Sequence, residues 1–83
     1  MLSVSQIKAA RAFLGWSVSD LAGQCGVGAT TIRKYEMQKG IPAGTVRNLQ
    51  AIKVCLEGAG IEFLGNPESN PGVVLHLNLS PSA

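Results

Sequence analysis

The side chains able to do bond-making chemistry in this 83-residue chain are few and scattered. There is one histidine, His76, and there are two cysteines, Cys25 and Cys55, all far apart in sequence. None has a companion at the short spacings that hold zinc, so no metal site is expected. No cysteine neighbours the histidine, and no glycine-rich strand-to-helix turn is present to cradle a phosphate. So short a chain also leaves little room for a pocket. We therefore expect neither an enzyme nor a cofactor. Both cysteines fall at apolar positions of helical runs and read as small buried thiols, which suits a reducing, cytoplasmic setting.

The remaining chemistry is cationic. Lysine and arginine number 7 against 5 acidic residues, for a net charge of +2. This mild excess points weakly to a polyanionic partner, and the placement of the charges matters more than their sum. Lys8, Arg33, Lys34, Lys39, Arg47 and Lys53 each read singly as solvated surface. Hydrophobic residues make up 46% and charged residues 14%, a globular composition with material for one modest core. No apolar stretch reaches the roughly 18 residues of a membrane span. The opening MLSVSQIKAARAFL lacks the basic-then-apolar order of a secretory signal.

Periodicity places these side chains on elements. Ser3 and Gln6 have capping-box spacing, and Ile7, Ala10, Phe13 and Leu14 follow as an apolar stripe. The first helix is expected over 4–14, with Gly15 able to end it. Ser17 and Asp20 form a second box ahead of Val18, Leu21, Ala22 and Cys25, predicting a helix over 18–24. Gly26 supplies the turn, Val27 points inward, and a third helix runs from Gly28 or Ala29 to Gln38. On it Ile32 and Tyr35 form the apolar side, with Ala29, Thr30, Arg33 and Lys34 opposite. After a loop with Gly40, Pro42 and Gly44, Thr45 is placed to cap a helix over 46–57, whose stripe is Val46, Leu49, Ile52 and Leu56. The period then changes. Ile61 to Leu64 is short and apolar, GNPESNPG is turn chemistry, and Val73 to Leu79 alternates, so a β-hairpin or strand pair is expected.

Residues 16–36, WSVSDLAGQCGVGATTIRKYE, resemble the Cro/lambda-repressor family of helix-turn-helix proteins, the xenobiotic-response-element type. The likeness lies in Leu21-Ala22, the turn glycine Gly26, Val27, Ile32 and Glu36, supported by AARAFLGWSVSDLA and TIRKYE, and it covers about residues 4–58. It implies a mainly α fold, a compact four-helix lambda-repressor-like DNA-binding domain over 1–60, with the strand tail over 61–83. In such modules the start of the second motif helix enters the major groove of double-stranded DNA. The resemblance then makes Ala29, Thr30 and Arg33 the base readers, Arg33 through guanine O6 and N7 and the other two through base edges or a thymine methyl. Ser17, Thr31, Lys34 and Lys39 fall to phosphate contact, together with backbone N–H groups at the start of the second helix. Arg11 and Glu36 match a structural salt bridge of the family. Two departures stand out. The first contact positions, often glutamine in relatives, are Ala29 and Thr30 here, and Gly28 replaces the usual hydroxyl cap.

Trp16 reads as packing over the junction of the first two helices, Tyr35 as core, and His76 as an exposed or interface side chain. An apolar strand edge invites pairing, so Val73, Leu75, Leu77 and Leu79 are expected to form a homodimer interface. The leading expectation is a sequence-specific regulator of bacterial or phage type, most simply a repressor, working as a cytoplasmic homodimer on double-stranded DNA with no membrane partner. The competing one is a protein-interaction adaptor or antitoxin on the same fold, with the tail as the surface for a protein partner.

Overall fold

Among the described residues, three of the four helices start on side-chain caps. The computed structural model describes residues 2–77, so Leu79 lies outside the described residues. Helix α1, Val4–Leu14, opens on Ser3: its Oγ accepts from the Gln6 N–H at 3.1 Å, and Gln6 Oε1 accepts from the Ser3 N–H at 2.9 Å. Helix α2, Val18–Cys25, opens the same way on Ser17 and Asp20. Gly15 and Gly26 close these helices in the left-handed conformation, with φ of 68° and 71°, where a Cβ is strained. Helix α3, Ala29–Glu36, starts at Gly28 with no side-chain cap. Helix α4, Val46–Gly58, starts at Thr45, whose Oγ1 accepts from the Asn48 N–H.

Strands β1, Ile61–Leu64, and β2, Gly72–Leu75, pair antiparallel with Ile61 opposite Leu75 and Leu64 opposite Gly72. Asn66 and Asn70 organise the turn: Asn70 Oδ1 accepts from the Asn66 N–H and Asn66 Oδ1 from the Glu68 N–H. The molecule is thus mainly helical with one small sheet. Ile7, Ala10, Leu21, Val27, Ile32, Tyr35, Leu49, Ile52, Leu56 and Ile61 make one core, and Phe63, Val73 and Leu75 pack on it from the hairpin. No helix among the described residues is long and apolar enough to cross a membrane.

Several boundaries and faces differ from expectation. Helix α3 stops at Glu36, short of Gln38, because the Gln38 N–H closes a tighter bond onto Tyr35 O and its side chain turns into the next loop. Strand β2 ends at Leu75, and Leu77, expected on its paired face, is 67% exposed. Phe13 and Val46, both placed on apolar stripes, are 54% and 74% exposed. Phe13 lies about 240° round the helix from Ile7, off the line that faces the core. Val46 is the first residue of α4, beyond the reach of the elements packed on that helix's later turns. The cysteines are half-buried and unbridged. Burial and the neighbouring Cys55 thiol push the Cys25 thiol up, so it stays protonated at neutral pH.

Gln6 joins the two parts of the fold. It is 3% exposed, and beyond its capping role its Nε2 donates to Gly72 O at 3.0 Å and Leu64 O at 3.3 Å. One amide therefore caps α1 and holds the hairpin onto it. Gln6→Leu should lower unfolding free energy by about 1–3 kcal/mol, because the buried Ser3 N–H loses its acceptor. Amide exchange in β1 and β2 should quicken with it. Unchanged stability and unchanged strand protection would show that the hairpin is held by apolar packing alone.

Candidate nucleic-acid interface

Three residues, Gly26 to Gly28, separate α2 from α3. Gly26 makes the reversal and Val27, 5% exposed, plugs it from inside. Leu21 of α2 and Ile32 of α3 are fully buried in the shared core, and Tyr35 follows Ile32 onto the same side. Gly44 is tight against Tyr35: a Cβ there would overlap the ring. The loop after α3 is pinned by Gln38, whose Oε1 accepts from the Ala43 N–H at 2.7 Å while its Nε2 donates to Ala43 O. With Ile32 and Tyr35 turned in, the opposite face of α3 is left open to solvent.

That face carries Thr30, Arg33 and Lys34, all exposed, with Ala29 and Thr31 half-buried at its margin. Lys39 is exposed in the following loop. Among the described residues, Arg33, Lys34 and Lys39 form no ion pair. Glu36, the one carboxylate of α3, does not offset them, because it is turned back onto α1. Arg11 Nε donates to Glu36 Oε2 at 3.0 Å and Arg11 Nη2 to Glu36 Oε1 at 2.9 Å, a two-point pair. Arg11 Nη1 also donates to Trp16 O at 3.0 Å, and the Trp16 ring lies half-buried against the core. One guanidinium thus fixes α1, the α1–α2 turn and the end of α3, and the face left on α3 is net positive.

No protein-family model, curated protein or solved structure matches the chain. The site therefore stands on its own geometry.

The expected site residues do not all share one situation. Ala29, Thr30, Thr31, Arg33 and Lys34 lie together on α3, and Lys39 extends the positive charge beyond it. Ser17 sits at the head of α2, with its N–H given to Asp20 Oδ2 and its Oγ accepting from the Asp20 N–H. Its hydroxyl proton is still free to donate, but the Asp20 carboxylate already sits at the positive end of that helix and opposes an incoming anion. Val73 and Leu75 turn inward onto the chain's own core, so their side chains are not a free face. His76 is exposed and lies 2.6 Å from the likewise exposed Glu62, a diagonal cross-strand pair.

The sequence reading missed two residues. Met37 is 83% exposed and falls three, four and seven residues after Lys34, Arg33 and Thr30, which puts it on their stripe. That spacing was the available signal. Gln38, read as the last residue of α3, instead staples the loop that carries Lys39, and no local pattern announces such a bond.

Glu36→Gln keeps the shape but removes the charge facing Arg11. The carboxylate side is 10% exposed and the guanidinium 25%, so the loss should be about 2 kcal/mol, below the range for fully buried pairs. Urea unfolding measures it. A change within about 0.5 kcal/mol would show the pair to behave as a solvent-screened surface contact.

Proposed function

We propose that this chain is a sequence-reading, double-stranded DNA-binding regulator, a helix-turn-helix protein of the Cro/lambda-repressor type that places α3 in the major groove. The observation that carries this is the α3 face. It is exposed, lined by Thr30, Arg33 and Lys34, free of ion-paired cations among the described residues, and set on a helix whose other side is fixed in the core.

In this reading Arg33 reads guanine through O6 and N7, and Thr30 and Ala29 meet a base edge or a thymine methyl. Lys34, Lys39, Thr31 and the Ser17 hydroxyl contact phosphates and set the register without reading sequence. A homodimer would present two such helices to a pseudo-palindromic site, about one DNA turn apart. Occupying that site in the cytoplasm would repress by occlusion. The protein acts by binding, with no catalytic step.

Selection from random duplexes, with affinities followed by fluorescence anisotropy across a salt series, tests this. The chain should enrich a palindromic site. Arg33→Ala should lose about 1–3 kcal/mol and relax preference at one base position per half-site. Lys39→Ala should weaken all sequences alike and reduce the salt slope by about one unit per contact. A selected pool without enrichment, bound with no dependence on salt, would sink the proposal and turn attention to a protein partner.

A further inference from the structure

Two thiols on different helices have no part in the reading above. Cys25 is the last residue of α2, one turn beyond the fully buried Leu21, and it packs against the edge of the core. Cys55 lies on α4 between the fully buried Ile52 and Leu56. Helices α2 and α4 pack against each other, and the Cys55 thiol sits directly beside that of Cys25. Both cysteines are free and half-buried. Their sequence neighbours Gln24, Gly26 and Val54 are exposed, so the pair lies at the rim of the core, within reach of a small solute.

A single thiol in this place would be packing material. Two in contact have a chemistry that neither has alone, because a sulfenic acid formed on one is condensed by the other. The backbone leaves room for the sulfurs to close to bonding distance. Helix α2 ends at Cys25, so no further helical turn holds it from the far side. The next residue is Gly26, and even a Cβ there would meet nothing within 4 Å, so the turn is not wedged in place. Burial and the neighbouring thiol keep Cys25 protonated, which gives the first oxidation to Cys55.

We propose that Cys25 and Cys55 are a redox-responsive dithiol, closed by a hydroperoxide into an intramolecular disulfide between α2 and α4. First, Cys55 takes one oxygen from the peroxide: its S–H becomes S–OH, the O–O bond breaks, and water or an alcohol leaves. Then the Cys25 sulfur bonds to the Cys55 sulfur, the S–O bond breaks, and the hydroxyl departs as water with the Cys25 proton. The two thiols give up two electrons and one peroxide is reduced. Exchange with a small dithiol reopens the bridge. Transient bridges of this kind are the ones that reducing compartments allow. The bridge encloses residues 25–55, so the turn over 26–28, α3 and the loop after it fall inside one covalent ring anchored on α4. The inference concerns the support behind α3 and does not depend on what α3 binds.

Treatment of the reduced full chain with hydrogen peroxide, followed by intact mass, thiol titration and peptide mapping, tests it. Both thiols should disappear together, with a mass loss of about 2 Da for the two hydrogens. One cross-linked peptide pair should contain Cys25 and Cys55, and dithiothreitol should restore both thiols. Closing this loop removes chain entropy from the unfolded state, so the thermal midpoint of the oxidised chain should rise by about 10 °C or more. Cys25→Ser should stop at the first step and leave a sulfenic acid on Cys55 that dimedone traps. Cys55→Ser should leave Cys25 a thiol, oxidised at least about tenfold more slowly than Cys55. Thiols that persist at peroxide levels that oxidise free cysteine would overturn the proposal. So would separate sulfinic acids, or bridges that join one chain to another.

Discussion

A guanidinium on the first helix decides where the third one points. Arg11 spends its donors on Glu36 and on Trp16 O, so one planar group ties α1, the first turn and the far end of α3 together. Eight-residue helices such as α2 and α3 are marginal alone and take their stability from packing. A flat fork with two bonds to one carboxylate fixes orientation as well as distance, which a lysine at that place would not do. The pair also shapes the electrostatics. It removes the only negative charge of α3 from play and leaves Arg33 and Lys34 unopposed on the outer face.

The other end of the molecule is organised by a neutral group. Gln6 closes the cap of α1 and binds two strand carbonyls, so the hairpin is seated by the same residue that starts the first helix. These two polar knots, Arg11 at one end of α1 and Gln6 at the other, supply direction to a small core that apolar packing alone would leave underdetermined. Helix α1 thereby links the end of α3, through Arg11, to the hairpin, through Gln6.

The sequence was most legible where structure is local. Ser3 with Gln6, Ser17 with Asp20, Thr45, Gly15 and Gly26 announce their helix ends because each acts on backbone groups within four residues of itself. The inward face of α3 was equally readable, since Ile32 and Tyr35 recur at helical spacing. What depends on distant neighbours was not. Nothing near Phe13 or Val46 tells that no element among the described residues covers them, and nothing near Gln6 tells of strand carbonyls more than fifty residues away. Strand β2 alternates as far as Leu79 in sequence, but its partner β1 has only four residues to offer, so the strand register ends at Leu75, with one further bond from the His76 N–H to Gly60 O. For the candidate site, the positions proposed to read bases follow from the motif, while Met37 continues their stripe one position past the end of α3.

The proposed contact of the exposed α3 face with duplex DNA is tested most directly by backbone amide chemical shifts. Titration of labelled protein with its selected duplex should move Ala29 to Lys34 and Lys39 most, with Ser17 next, and leave α4 nearly still. Shifts confined to α1 and β2, or none at a concentration that saturates anisotropy, would contradict it and assign the working surface to the other side of the molecule.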